Sequence, residues 1–431
     1  MIIHDTLLVP NSPSLPSAMK GWIRISGDKI ESIHTGNFSA SSDPQAKGYP
    51  VIDGSKWALI PAFSNTHAHS HSSLTRGSAE GLSLAAWLEI VEREQRRLSE
   101  EDAYIAALCT YAEALLSGTG SLIDMCLFPR AALQAAKEIG LKVGVAPYVA
   151  DTKEFTPTLE ETVKLLESAS PGDDFVRVWC GLHDLESCSD SQIRQAVEIA
   201  AHFNARIHMH CSESLRSTNM TKSRTGYSPV KYLLELGVFE HPAHLAHCVW
   251  VDEEDCKIME HNSASVAHCP HANLKLGSGV APVPMMVSSG VNVSLATDGA
   301  KANNRLDMFD VMKFAGSIHR GIHNDPGLLP PEKVLAMATS SGSKILGLRS
   351  GRLEPGFNAD ITFINIDQIH LQPATPDTII PNLVFSARGS DVEKVMIGGS
   401  LIVENGKLTR VEHHNILEQM KRSARKLMAD S

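Results

Sequence analysis

Between about residues 59 and 297 the chain alternates short apolar runs with longer stretches in which apolar residues recur every three or four positions. The short runs are predicted strands: Leu59–Phe63, Ser121–Met125, Lys142–Pro147, Phe175–Gly181, Arg206–His210, Ala243–His247, Ala264–His268 and Asn292–Thr297. The stretches between them read as helices with recognisable ends. Asp102–Ser117 stops at Gly118, Ala131–Ile139 at Gly140 and Ser228–Leu236 at Gly237, while Asp190–Phe203 starts after Ser189. Eight strands in alternation with helices predict an α/β fold, a (β/α)8 TIM-type barrel.

The pattern outside this region is different. Gly21–Ile25, Gly27-Asp28 and Lys29–Ile33 alternate with period two about a turn, and the same texture returns in Asp360–Ile366 and Val392–Val403, with Gly398-Gly399 and Asn405-Gly406 as turns. Residues 1–58 and 350–431 are therefore expected to form one small discontinuous β-sandwich domain built from both termini, with the barrel, 59–349, inserted between them. The segment Ile416–Met428 has helical spacing and many basic residues, and reads as a solvated terminal helix.

Composition narrows the function. The 431 residues are 43% hydrophobic and 20% charged, which excludes disorder and leaves ample material for a core. The net charge is -10 and no run of Lys or Arg could track a phosphate backbone, so no nucleic-acid partner is expected. No apolar run approaches the ~18 residues of a membrane span. Met1–Pro10 carries His4 and Asp5 where a signal peptide would be basic and then apolar, so no membrane partner and a cytoplasmic location are expected. The eight cysteines contain no Cys-x-x-Cys pair, which removes the signature of zinc ribbons and thioredoxin-like redox chemistry and leaves buried thiols.

The histidines point to a metal. His67 and His69 flank one residue just after the first predicted barrel strand, and on extended backbone positions i and i+2 project from one face. His210 ends the fifth strand, His247 ends the sixth and Asp298 follows the eighth, and a barrel gathers the C-terminal ends of its strands at one mouth. Two histidines, one more histidine and one aspartate make an N3O donor set suited to zinc or ferrous iron with a position left for water. Glu213 lies three residues beyond His210, where the chain turns off the strand, and is the candidate proton shuttle for a hydrolytic reaction. His71 reads as a neighbour of the site and not a ligand. His208, His244, His268 and His271 read as structural histidines held by backbone partners.

An ordered series of segments resembles the amidohydrolase superfamily in its branch of mononuclear aminohydrolases, the cytosine, guanine, methylthioadenosine/S-adenosylhomocysteine and s-triazine deaminases. It runs from Pro61-Ala62-Phe63-Ser64-Asn65-Thr66-His67-Ala68-His69 through Arg76-Gly77, Leu84-Ala85-Ala86-Trp87-Leu88, Gly226-Tyr227-Ser228-Pro229-Val230 and His244-Leu245-Ala246-His247-Cys248. It continues through Asn273-Leu274-Lys275-Leu276-Gly277-Ser278-Gly279 and Thr297-Asp298-Gly299 to Leu353-Glu354-Pro355-Gly356-Phe357-Asn358-Ala359-Asp360. The resemblance implies that His67, His69, His210 and Asp298 bind one divalent metal, zinc or iron. It also implies that Glu213 shuttles a proton and that His247 holds or polarises the attacking water and the substrate. The activity implied is deamination of a nitrogen heterocycle of purine, pterin or s-triazine type, by attack of metal-bound hydroxide on a ring carbon. In that scheme Asp298 takes the water proton and Glu213 protonates a ring nitrogen. The alternatives are methylthioadenosine/S-adenosylhomocysteine deamination and a triazine-type hydrolysis that expels chloride or an alkylamine.

Substrate contacts are expected from Trp87, His183, Gln95 and Lys301. Relatives acting on adenosine-type substrates follow His183 with a different run from Asp184-Leu185-Glu186. The position of their ribose-binding glutamate aligns with Gln95, next to Glu94, so a ribose is not required of the substrate. Lys301 is expected either to recognise an anionic or carbonyl-rich substrate or to point to bulk water. By analogy with the family, the chain is expected to assemble as a homo-oligomer.

Overall fold

The computed structural model describes residues 1–39, 47–169, 172–173 and 175–428; residues 40–46 and 429–431 of the expected terminal domain lie outside them. The strands in chain order are β1 (Ile2–Leu8), β2 (Met19–Ser26), β3 (Lys29–Thr35), β4 (Val51–Asp53), β5 (Trp57–Pro61), β6 (Phe63–Ala68), β7 (Thr119–Cys126), β8 (Lys142–Pro147) and β9 (Val176–Val178). They continue as β10 (Cys180–Gly181), β11 (Ile207–Cys211), β12 (Ala243–His247), β13 (Ser265–His268), β14 (Asn292–Leu295), β15 (Ile361–Asn365), β16 (Val392–Ile397), β17 (Ser400–Glu404) and β18 (Lys407–Leu408).

The chain resolves into two compact units. One comprises Met1–Ser64, Ala112–Ser121 and Asp307–Glu412, the other Asn65–Tyr111, Leu122–Leu306 and His413–Ser431. The first holds a nine-stranded sheet in the order β18-β17-β16-β15-β5-β1-β2-β3, with β4 added beside β1. The two ends of the chain meet where β15 runs antiparallel to β5, with Phe363 opposite Leu59. Ile3, Leu8, Ile23, Trp57, Leu59 and Phe363 form one buried cluster there, and Trp57 meets Phe363 edge to face at 5.5 Å. Each such side chain removed from water contributes on the order of 1.5–3 kcal/mol, which is why segments hundreds of residues apart hold together.

Two further sheets carry the strand-helix alternation. One has the order β6-β7-β8-β9, the other β10-β11-β12-β13-β14, and the neighbours within the second are parallel. β9 and β10 are the predicted strand Phe175–Gly181 broken at Trp179. The Trp179 amide donates to Val145 O at 2.9 Å, and the next amide, of Cys180, donates to Arg206 O at 2.8 Å, so one segment bonds in turn to both sheets. Gly181 is required at that point, since a Cβ would stand 2.1 Å from Pro147 O.

Two expectations need correcting. The run Leu59–Phe63 is not the first strand of the parallel set: most of it belongs to β5 of the terminal sheet, and β6 takes the expected place, so His67 lies within a strand and not after it. An apolar run buried on both faces has the same pattern in either sheet. Nor is the terminal helix simply solvated. His413–Met428 buries Ile416, Ser423 and Leu427, and Lys426 Nζ donates to Asp102 Oδ2 at 2.8 Å. Among the described residues no helix is long and apolar enough to cross a membrane.

Candidate metal centre and its pocket

His67, His69, His210, His247 and Asp298 come together at the C-terminal ends of β6, β11, β12 and β14. Donor atoms of His67, His210 and His247 lie within 4.8 Å of one another, and so do those of His67, His69 and Asp298. Four residues at these ends adopt left-handed backbone, Ser212 at φ 49°, His247 at 73°, Cys248 at 46° and Asp298 at 62°, a conformation that non-glycine residues take at a cost and keep where a site needs it. Gly299 keeps the next step open: a Cβ there would fall 2.5 Å from Ser72 Oγ and 3.1 Å from His69 Cβ.

Hydrogen bonds fix which nitrogen of each ring is free. His208 Nδ1 donates to His244 O at 2.8 Å, which makes His208 Nε2 an acceptor, and His67 Nδ1 donates to it at 2.9 Å. His69 Nδ1 donates to Met125 O at 2.8 Å and His210 Nδ1 to His183 O at 2.7 Å. His247 Nδ1 faces Asn273 Oδ1 at 2.9 Å. Every Nε2 is thereby left with a lone pair. His67 Nε2 is buried with no hydrogen-bond partner, and the Nε2 atoms of His69 and His210 face each other at 3.2 Å. Asp298 Oδ1 stands 3.7 Å from His67 Nε2 and 3.6 Å from His69 Nε2, beyond direct bonding. Converging lone pairs repel one another, and a divalent cation among the Nε2 atoms of His67, His69 and His210 would satisfy those three. Burial, then the neighbouring imidazoles, hold His67 and His210 well below the usual histidine range, so both are neutral and ready to ligate.

The donors open onto a cavity lined by His69, His71, Leu84, Trp87, Leu88, Val91, Gln95, Tyr148, His183, Glu213, His247, Leu276 and Asp298. Beneath it Ala246, Ala267 and Ala296, at the ends of three adjacent strands, belong to one buried apolar cluster, and Leu84 and Trp87 pack against that cluster. A groove past Glu92, Glu186, Leu215 and Arg216 leads outward.

Glu213 Oε2 lies 3.9 Å from His247 Nε2, and burial, helped by the nearby Asp184 carboxylate, raises the Glu213 carboxyl to about 7. Burial also raises the Asp298 carboxyl. His183 lines the cavity beside Tyr148, with ring centroids 4.3 Å apart, and its Nδ1 is held by Asp184 at 2.9 Å and Ser187 at 2.7 Å. Burial opposes the charge on Asp184, but the adjoining His183 outweighs it and holds the carboxyl below the usual range.

Trp87, Gln95 and His183 thus line the cavity; Lys301 does not. It is 1% exposed, and its Nζ donates to Glu94 Oε2 at 2.6 Å, so it neither reaches bulk water nor presents a free cation to a ligand. Sequence reasoning missed Asn273, Tyr148 and Asp184. Asp184 was within reach, two residues beyond Leu182 and next to His183; Tyr148, one residue past a strand end, carried no pattern of its own.

The amidohydrolase family model matches residues 58–402. The chain is 33% identical to the 5-methylthioadenosine/S-adenosylhomocysteine deaminase of Thermoanaerobacter pseudethanolicus over 435 residues, 99% of each chain. It is 34% identical to the 5'-deoxyadenosine deaminase of Methanothermobacter thermautotrophicus over 413 residues, 94% of this chain and 96% of that one. Among solved structures, a zinc-bound adenosine deaminase from Xanthomonas campestris superposes with a TM-score of 0.92 at 22% identity, covering 99% of this chain and 98% of that one. With a family model spanning most of its length and full-length relatives at this identity, the chain belongs to the amidohydrolase family.

Proposed function

We propose that the protein is a metal-dependent deaminase that replaces an amino group on an electron-poor ring carbon of a nitrogen heterocycle with oxygen, releasing ammonia. The observation that carries this reading is the convergence of unshared imidazole lone pairs, led by His67 Nε2, beside a carboxyl group poised near neutrality at Glu213. His67, His69, His210 and Asp298 would hold the metal; zinc fits this nitrogen-rich set, and iron is the alternative. A cation bound there supplies water ionised at neutral pH. Asp298 would take the proton the water gives up and pass it to the departing amine, which leaves as ammonia. Glu213, protonated near pH 7, delivers a proton to the ring nitrogen beside the carbon under attack. His247, with its proton on Nδ1 toward Asn273, offers Nε2 to orient the water. Trp87, Gln95 and His183 contact the ring, while Lys301 supports the site through Glu94.

The same reading extends to architecture. β6 through β14 are taken as the staves of one (β/α)8 barrel, with β9 and β10 sharing a stave. The nine-stranded sheet is taken as a folded, sandwich-like domain of residues 1–58 and 350–431. The chain works as a homo-oligomer in the cytoplasm on a small heterocyclic substrate.

A second reading has specific support. The relatives described above are named for adenosine derivatives, and the outer groove has room for a substituent on the ring, so deamination of methylthioadenosine or S-adenosylhomocysteine is the alternative. Product analysis with zinc-loaded protein, on guanine, adenine, a pterin, an aminotriazine, a chlorotriazine with alkylamino groups, 5'-deoxyadenosine and 5'-methylthioadenosine, decides between them. Turnover of at least one free base supports the first reading. Turnover confined to nucleosides replaces it with the second, and release of chloride or an alkylamine in place of ammonia would point to the triazine-type reaction.

A further inference from the structure

His208 and His244 lie opposite each other on β11 and β12 with their rings stacked 5.0 Å apart, and Trp179 meets both edge to face at 6.1 and 6.2 Å. Neither is more than 1% exposed. From sequence both read as structural histidines held by backbone partners, yet each has a second partner that leads to the metal centre. His208 stands two residues before His210 on the same strand, and so on the same face. Burial, then the neighbouring His244, holds His208 well below the usual histidine range, and burial brings His244 down to about 3, so each ring is neutral and carries one proton. The carbonyls decide where it sits. His208 Nδ1 donates to His244 O, so His208 Nε2 can only accept, and it does so from His67 Nδ1 at 2.9 Å. His244 Nε2 lies 3.1 Å from Thr66 O and must donate, so its Nδ1 accepts from the Ser265 hydroxyl at 2.9 Å. The bonds close a circuit: His67 to His208, His208 to the His244 carbonyl, the His244 ring to the Thr66 carbonyl, and from Thr66 along the backbone to His67. Of the six ring nitrogens in it, His67 Nε2 alone has no hydrogen-bond partner. A buried polar network with every other member satisfied fixes one arrangement, and here it is the one that leaves His67 Nε2 without a proton.

We infer that His208 is a positioning residue of the metal centre: by accepting the Nδ1 proton of His67, in a circuit that His244 closes, it holds His67 in the tautomer whose Nε2 can ligate. This rests on the metal reading proposed above for the identity of the cation, while the tautomer of His67 does not. Without that acceptor the proton has a better place on Nε2, where Asp298 Oδ1 stands 3.7 Å away, and a proton there blocks coordination.

Two measurements on the full chain test the inference. In the metal-free wild type, the imidazole nitrogen resonances of His67 should show Nδ1 protonated and Nε2 bare; the reverse overturns the assignment whatever the variants do. Zinc affinity, measured by chelator competition, is the second. His208→Phe, which keeps a ring in the space, should move the His67 proton to Nε2 and weaken zinc binding about 10- to 100-fold. His208→Gln, whose amide can both accept from His67 and donate to the His244 carbonyl, should keep the wild-type tautomer and bind zinc within about threefold of the wild type. His244→Phe retains the carbonyl that holds His208, so it should leave the His67 proton on Nδ1 and lose less zinc affinity than His208→Phe. Equal losses in the two Phe variants with the tautomer unchanged, or wild-type zinc affinity in His208→Phe, would mean that these rings only fill space, and would refute the inference. If the wild type takes up no zinc while the His67 tautomer stands, the metal reading fails and the tautomer assignment survives.

Discussion

Asp298 and Glu213 show how the same cavity sets two carboxyl groups to different tasks. Both are raised by burial, yet Asp298 faces three imidazoles across the metal position whereas Glu213 faces the open cavity. Asp298→Ala should therefore lower bound zinc from one per chain to near none, measured by elemental analysis, and abolish ammonia release. Glu213→Gln should keep the zinc and cut kcat by about 100- to 10,000-fold, the usual contribution of a positioned acid-base group. Glu213 also carries a stability cost whose sign can be worked out. Its folded value of about 7 lies above its unfolded value near 4.5, so the native state binds the extra proton between the two. Stability of the metal-free protein then falls as pH rises through that window, and the penalty, on the order of 3 kcal/mol at most, is complete above about pH 7. Metal-free Glu213→Gln should accordingly melt above the wild type at pH 8, and the difference should shrink toward pH 5.

At the scale of elements, the helix Leu84–Gln95 forms a wall of the cavity, and Glu94 ties it to Lys301, three residues after Asp298. Burial works to discharge Lys301, with Glu94 opposing, so the pair depends on both partners. Lys301→Met should leave Glu94 facing an apolar site and cost about 3 kcal/mol, read by denaturant unfolding, with a raised KM as the wall loosens. Combining it with Glu94→Leu should recover most of the loss. From sequence, Lys301 reads as a cation facing the substrate or bulk water because it lies next to the expected ligand Asp298, and nothing local reveals a partner some two hundred positions earlier. The strand ends were legible for the opposite reason. His210, His247 and Asp298 each sit at or just beyond the end of an apolar run, and the i, i+2 spacing of His67 and His69 marks extended backbone, although the strand that carries His67 begins only at Phe63.

For the molecule as a whole, the least legible segment is the middle of β6, whose side chains bond to residues at the end of β14. Ser64, Asn65 and Thr66 read as a polar loop, yet they form the middle of β6 and are fully enclosed. Their burial is tolerated because each polar group is matched by a residue far away in sequence: Asn65 Nδ2 donates to Thr297 Oγ1 at 2.6 Å, Asn65 Oδ1 accepts from the Thr297 amide at 3.0 Å, and the Thr66 hydroxyl pairs with Ser294 at 2.7 Å. Immediately beyond, the Asp298 amide donates to His67 O at 2.9 Å. The metal ligands of the first and last strands are therefore held in register by the same buried bonds that hold the strands together. Asn65→Leu keeps the volume but strands the Thr297 amide and removes the donor to its hydroxyl, which keeps its bond to Asp298 O, and this should cost about 2 kcal/mol. It should also weaken zinc binding, measured by chelator competition, about tenfold or more, because His67 and Asp298 lose their shared frame. Lys426→Met, which removes the tie between the terminal helix and Asp102, should lower stability only slightly and leave zinc affinity unchanged. If Asn65→Leu lost stability but bound zinc like the wild type, the coupling between these buried bonds and metal geometry would be refuted.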